Sequence, residues 1–164
     1  VSAQPMNTQV WIAILVGMAA VTDDLRRRHI ANWIPAAALA GGFGWQVGTA
    51  GWSGAMSAAA GAAAGFSVFL VFFLLGGMGG GDVKLMAGFG ALLGPGRLLE
   101  AALWTAGVGG ILAVCAIAWK SLMSWRKPPV AAADLTPEEK DKAASIPYAP
   151  AIALGVWLSL IPKG

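Results

Sequence analysis

GMGGGDVKLM, residues 77–86, is the stretch of sequence around which the remaining chain can be arranged. Its glycines end a long apolar run, Asp82 follows them directly, and a new apolar run begins at Leu85. No charged residue stands between His29 and Asp82. A carboxylate at the edge of an apolar run is costly unless it has a partner or a function. We therefore ask which other carboxylate could meet Asp82.

The composition predicts an all-α, polytopic membrane protein. The chain has 164 residues, of which 57% are hydrophobic and only 12% charged, and its mean hydropathy is +0.69. Soluble domains carry about 25% charged residues. We expect one integral-membrane domain over residues 1–164. Its expected surroundings are the lipid bilayer, and we do not expect it to bind nucleic acid. The single cysteine, Cys115, can form no internal disulfide and is expected to be inert.

Six uncharged runs are predicted to be transmembrane helices, because a span needs about 20 apolar residues. They are residues 1–22, 33–47, 55–75, 85–96, 101–119 and 145–162. The fourth run is short; it either extends to Val83 and Leu99 or forms a shielded helix. Breaks are predicted at 48–54 and 94–97, and the small residues at 58–65 are expected to serve helix packing. The polar segment 120–144 is expected to be a cytoplasmic loop, with a helix start at Thr136 and Pro137.

The basic residues predict the orientation. With six crossings, nine basic residues lie on one side and only Arg97 and Lys163 on the other. Basic residues favour the cytoplasmic side. Both termini are therefore expected on the opposite side, while the polar segments and the glycine stretch face the cytoplasm.

Two crossings separate Asp82 from the first polar segment, so Asp23 or Asp24 can meet it at one membrane face. Two adjacent carboxyl groups cannot both ionise, so such a pair shares a proton and can activate water, as in an aspartic protease. One of Asp23 and Asp24 is instead expected to be a counter-charge for the arginines that follow. His29 is expected to be interfacial, because no nucleophile stands out as its partner.

The glycines before Asp82 allow two interpretations. Without Cβ atoms they let another backbone approach closely and allow unusual dihedral angles, so a substrate strand could lie along Gly79 to Gly81. Alternatively they only make a tight turn between two helices. The spacing alone favours neither.

Three segments of the chain resemble the prepilin peptidase family. DLRRRHIAN, from Asp24 to Asn32, resembles its first-aspartate motif, and GMGGGDVKL resembles its Gly-x-Gly-Asp motif with a trailing Lys. IPYAPAIALG, residues 146–155, resembles its last helix.

The resemblance implies an intramembrane-type aspartic endopeptidase that removes the short basic leader of type IV prepilins at the cytoplasmic face of the bacterial inner membrane. The residues that it implies are Asp24 and Asp82 as catalytic aspartates, Gly79 and Gly81 as motif glycines, and Lys84 and Asn32 in support. No metal and no cofactor are implied. A basic leader would be drawn toward the acidic residues Asp23, Glu138, Glu139 and Asp141.

The chain departs from the family pattern at two points. Ala31 stands where the first motif usually has proline, and the paired Cys-x-x-Cys motifs of the longer members are missing. The chain therefore resembles the short form associated with tight-adherence, or Flp-type, pili, and we do not predict methylation of the pilin.

Two other functions fit the same carboxylates. A small transporter or a proton- or cation-conducting protein would use them as an ion site, but such sites tend to lie near the bilayer midplane. A non-enzymatic subunit of a secretion machine would use them only as anchors and would tolerate Asp82→Asn.

Overall fold

The computed structural model describes residues 5–27, 29–76, 78–124 and 148–161, and every regular element among them is an α-helix. The helices are α1 (Pro5–Arg27), α2 (Trp33–Leu74), α3 (Gly80–Ser124) and α4 (Ala149–Ser159). The first three are long and apolar enough to cross a membrane. The all-α membrane class predicted from composition is therefore confirmed, whereas six crossings stay a prediction.

Two of these helices are interrupted by a single glycine with a positive φ. Gly51 (φ 57°) breaks α2 and Gly94 (φ 73°) breaks α3, a backbone region that glycine enters at little cost. Both glycines lie in the predicted breaks. We name the resulting parts α2N (33–50), α2C (52–74), α3N (80–93) and α3C (95–124).

The two parts of α2 run in opposite directions along α3N. In α2N, Ala38 lies against Gly88 and Gly42 lies against Leu92, so α2N and α3N are parallel. In α2C the order is reversed, because Gly65 lies against Met86 and Gly61 against Gly90. The chain therefore turns back at Gly51. The small residues of α2C serve this close helix packing, as expected.

Two further pairs of packed helices are also antiparallel. Nε1 of Trp157 donates to the carbonyl of Ala13 (3.0 Å), and the start of α4 lies at the end of α1, so these helices are antiparallel. Along α3C, Thr105 packs on Gly155 and Gly109 on Ala151, so α3C and α4 are also antiparallel.

Glutamine side chains stabilise the break in α3. Carbonyl groups just before a helix break lack their usual donors. The carbonyl of Leu92 accepts instead from Nε2 of Gln9 (2.8 Å) and from Nε2 of Gln46 (3.3 Å). Arg97 then donates to Oε1 of Gln9 (3.2 Å), which ties α1 to both sides of the break.

Several predicted boundaries are wrong because helices continue past the limits of their apolar runs. The first helix continues beyond residue 22 to Arg27, and the fourth begins at Gly80 instead of Leu85. The fifth begins at 95 and continues to Ser124, so residues 120–124 are helical and not part of the predicted loop. The helix start predicted at Thr136 lies outside the described residues.

Candidate active site

Asp82 is held at the first turn of α3. Its Oδ2 accepts a hydrogen bond from the backbone N–H of Gly79 (3.2 Å), and its own N–H donates to the carbonyl of Gly79 (3.1 Å). An acidic residue that reaches back to the residue before a helix satisfies an amide that has no helical partner. The position also places the carboxylate at the positive end of the helix dipole.

The other carboxylate oxygen of Asp82 is unusual. Oδ1 is buried, and no residue that the structure describes gives it a hydrogen bond. The whole residue is only 8% exposed. A buried polar atom without a partner is costly, so this oxygen makes Asp82 a candidate functional residue.

Asp24 lies in the last turn of α1, and its carboxyl group is held by the start of another helix, α4. The backbone N–H of Ala149, the first residue of α4, donates to its Oδ2 (3.2 Å). Asp24 is 8% exposed, like Asp82. Two carboxyl groups 58 positions apart in sequence are thus each bonded to an amide at a helix start.

Asp24 and Asp82 line one cavity of about 260 Å³. The structure therefore brings these two carboxyl groups together. All six site residues predicted from sequence line this cavity, and three further residues complete it: His29, Ile30 and Gly80.

The glycines provide space and not unusual dihedral angles at this site. Positive φ occurs before the motif, at Gly76 (75°), and at none of Gly79 to Gly81. These three glycines therefore do not use the positive φ that glycine allows. A Cβ on Gly81 would lie 3.2 Å from Cβ of Ile30, so the missing side chain allows that contact.

Lys84 and Asn32, which were predicted to support the site, contact each other. Nζ of Lys84 donates to Oδ1 of Asn32 (2.9 Å). The contact joins the start of α3 to the segment before α2 at the mouth of the cavity. Asn32 is thereby connected to the helix that carries Asp82.

Asp23 has different neighbours from Asp24. Its Oδ1 pairs with Nε of Arg27 (3.3 Å), and its Oδ2 accepts from the backbone N–H of Ala31 (2.8 Å). It does not line the cavity shared by Asp24 and Asp82. One of the two adjacent acids is thus a counter-charge for an arginine, as expected, and that acid is Asp23.

An apolar groove of about 400 Å³ lies between α2C and α3C. Its lining includes Phe69, Phe72 and Leu103, together with Met78 and Tyr148. Met78 directly precedes Gly79, and Tyr148 directly precedes Ala149, so each adjoins an amide that holds one of the two aspartates. The groove therefore begins beside the cavity.

No cluster of three or more His, Cys, Asp or Glu side chains that could hold a metal occurs in the described part of the chain. The polar groups that line the cavity are the carboxyl groups of Asp24 and Asp82, the side chains of His29, Asn32 and Lys84, and the backbone of the three glycines. Such groups can exchange protons with water and donate hydrogen bonds to a carbonyl oxygen.

The described part of the chain is all-helical, has three helices apolar enough to cross a membrane, and has two buried carboxyl groups that line one cavity. The family model of type IV leader peptidases matches residues 11–114, which contain both Asp24 and Asp82. Because this match covers more than half of the chain, the protein belongs to the type IV leader peptidase family. The resemblance to prepilin peptidases is confirmed, and the family suggests a pilin precursor as substrate. No curated protein and no solved structure matches the chain.

Sequence reasoning missed two contacts that build the site. It assigned no role to Ile30, although this residue is 3% exposed and packs on Gly81. It also did not foresee that Ala149 holds Asp24. Pro150, in the first turn of an apolar helix, was the available signal for a helix start there.

Proposed function

We propose that the protein is an aspartic endopeptidase that removes the short basic leader of type IV prepilins, of the Flp type, at the cytoplasmic membrane face. The single observation that carries this proposal is the cavity shared by Asp24 and Asp82. Each carboxyl group is buried, and each is anchored through one oxygen to an amide at a helix start.

The mechanism that this geometry supports is activation of water by a carboxyl pair that shares one proton. The ionised carboxylate takes a proton from water as the water oxygen attacks the scissile carbonyl carbon. The protonated partner donates its hydrogen bond to the carbonyl oxygen. The proton taken from water then passes to the leaving amine as the C–N bond breaks. Oδ1 of Asp82, which is free of described partners, is an atom available for these transfers.

The backbone at the start of α3 is suited to a substrate strand. Gly80 and Gly81 line the cavity and occupy the first turn of the helix, where amide groups have no intrahelical partner. These amides can donate to substrate carbonyl groups. This supports the interpretation in which a substrate backbone lies beside Asp82.

The charge distribution supports a cytoplasmic site and six crossings. Arg26, Arg27 and Lys84 lie at the same end of the helices as the two aspartates, whereas Arg97 lies at the other end, beside Gln9. Basic residues gather on the cytoplasmic side of membrane proteins.

The apolar groove supports a substrate whose cleavage site is followed by an apolar segment. Because the groove begins beside the cavity, a chain cleaved between the aspartates can continue directly into it. The groove residues would then contact the membrane-anchored part of the precursor, and the leader would remain on the polar side.

The experiment that tests the function is cleavage of a co-expressed Flp-type prepilin from the same organism, followed by mass spectrometry. Asparagine at position 24 or 82 keeps the side-chain size and an acceptor oxygen for the helix amide but cannot exchange a proton in the same way. We expect each change to lower the cleavage rate by about 10² to 10⁴-fold. Asp23→Asn is the matched control, because it neutralises the neighbouring acid outside the cavity.

The outcomes separate the possible functions. Cleavage by wild type and by Asp23→Asn, but by neither other variant, supports the two-aspartate mechanism. Loss of cleavage in Asp23→Asn with activity kept in Asp24→Asn would mean that the wrong acid is named. Folded wild-type protein that leaves the precursor intact would remove the peptidase assignment and favour ion transport.

A further inference from the structure

Asp23 joins the end of α1 to the segment that leads into α2. Its Oδ2 accepts from the backbone N–H of Ala31 at 2.8 Å, across eight positions of sequence. The side chain of Asp23 is 16% exposed, so the bond is partly shielded from water. Because the acceptor is a side-chain oxygen, the amide oxygen of an asparagine at position 23 can accept the same bond.

The segment that Asp23 holds reaches the helix of the other aspartate through two contacts. Ile30, on one side of Ala31, is buried against Gly81, the residue before Asp82. Asn32, on the other side, accepts from Nζ of Lys84 (2.9 Å). Ala31 thus lies between the two residues that contact the first turns of α3.

We propose that Asp23 is a positioning residue that sets the separation of Asp24 and Asp82. Asp24 follows Asp23 directly in α1, and Asp82 follows Gly81 directly in α3. The path of contacts that is shortest in sequence from one carboxyl group to the other therefore runs through the Asp23–Ala31 bond and the Ile30–Gly81 contact, whereas the contacts through Gln9 and α4 reach α3 farther from Asp82. This inference rests on the proposed peptidase function.

The Ala31 bond carries this role, and the Arg27 pair does not. The side chain of Arg27 is 74% exposed, and exposed ion pairs contribute little. The backbone bond also requires a residue other than proline at position 31, because proline has no N–H. Ala31 therefore provides the backbone N–H through which Asp23 can hold this segment.

The test compares variants that separate the two interactions, using purified enzyme in lipid nanodiscs and a prepilin substrate. Asp23→Ala removes both interactions, Arg27→Gln removes only the ion pair, and Asp23→Asn keeps an acceptor oxygen for Ala31. We expect Asp23→Ala to lower kcat by about 10 to 100-fold with little change in KM, because misplacement of reacting groups by about 1 Å has effects of that size. Asp23→Asn and Arg27→Gln should stay within about fivefold of wild type.

Ala31→Pro removes the same hydrogen bond from the donor side. If the bond is the positioning element, the double variant Asp23→Ala/Ala31→Pro will be no slower than the slower single variant. Additive losses, an equal loss in Asp23→Asn and Asp23→Ala, or a change confined to KM would each overturn the proposal.

A readout independent of cleavage is hydrogen exchange at the amide of Ala31. We expect slow exchange in wild type and Asp23→Asn, and exchange at least 10-fold faster in Asp23→Ala. If wild type does not cleave the precursor but Ala31 is protected in this way, the peptidase function fails while the Asp23–Ala31 connection stands. Equal exchange in all three proteins would show that the connection itself is absent.

Discussion

Gly65→Ala is expected to damage both packing and catalysis, because α2C packs directly on the backbone of the helix of Asp82 at this residue, one turn from the carboxyl group. A Cβ at position 65 would lie 2.6 Å from the carbonyl oxygen of Met86, and ordinary contact begins at 3.4 Å. The two helices must therefore separate by about 0.8 Å (3.4 − 2.6). Met86 lies one turn after Asp82, so the same movement displaces the carboxyl group.

The expected size of each effect follows from this displacement. A shift approaching 1 Å in a reacting group lowers the rate by up to about 100-fold, so we expect a loss of roughly 10 to 100-fold in kcat. Overpacking costs about 1–3 kcal/mol, and the helix preference of alanine over glycine returns up to about 1 kcal/mol. The free energy of unfolding should therefore fall by about 0–3 kcal/mol.

The assay pairs initial cleavage rates with thermal unfolding followed by tryptophan fluorescence, in the same nanodiscs. Gly107→Ala is the matched control, because a Cβ there meets nothing within 4 Å. It should keep the wild-type rate and gain slight stability. A Gly65→Ala enzyme with the wild-type rate would show that the position of Asp82 does not depend on this contact.

Two further predictions concern the break in α3 and the apolar groove. Gln9→Leu removes a donor to the Leu92 carbonyl and should lower stability by about 0.6–2 kcal/mol in thermal unfolding, with cleavage kept; unchanged stability would contradict a role at the α3 break. Gly110→Phe should raise KM for a membrane-anchored precursor, because Gly110 lines the apolar groove, whereas Gly107→Phe should not. Equal KM values in both variants would remove the groove from the substrate path.

Much of the fold could be predicted because a bilayer imposes simple rules on sequence. The uncharged runs and glycine clusters predicted breaks at 48–54 and 94–97. The residues that interrupt the helices, Gly51 and Gly94, lie within these ranges. Boundaries could not be predicted as well, because hydropathy records where charge begins and not where backbone hydrogen bonding ends. Asp23 and Asp24 are charged, yet both lie within α1.

The choice between the adjacent acids shows why the site needed both the motif and the structure. By composition Asp23 and Asp24 are equivalent, and only the resemblance singled out Asp24. Successive residues of a helix point about 100° apart, so one side chain faces the cavity and the other faces the Ala31 segment. Asp24 is bonded to the start of α4, and Asp23 is bonded to Ala31. These neighbours are distant in sequence or depend on the tertiary packing, so no local pattern near Asp24 predicts them.

The groups around the two carboxyls also bear on the choice between a peptidase and an ion conductor. A cation site presents carbonyl and carboxylate oxygens to the ion. Here the oxygens of Asp24 and Asp82 accept from the amides of Ala149 and Gly79, and the ammonium group of Lys84 lines the same cavity. Donors of this kind repel a metal cation and can stabilise a carboxylate that has lost its proton. They therefore support the proposed activation of water over a site for a metal cation.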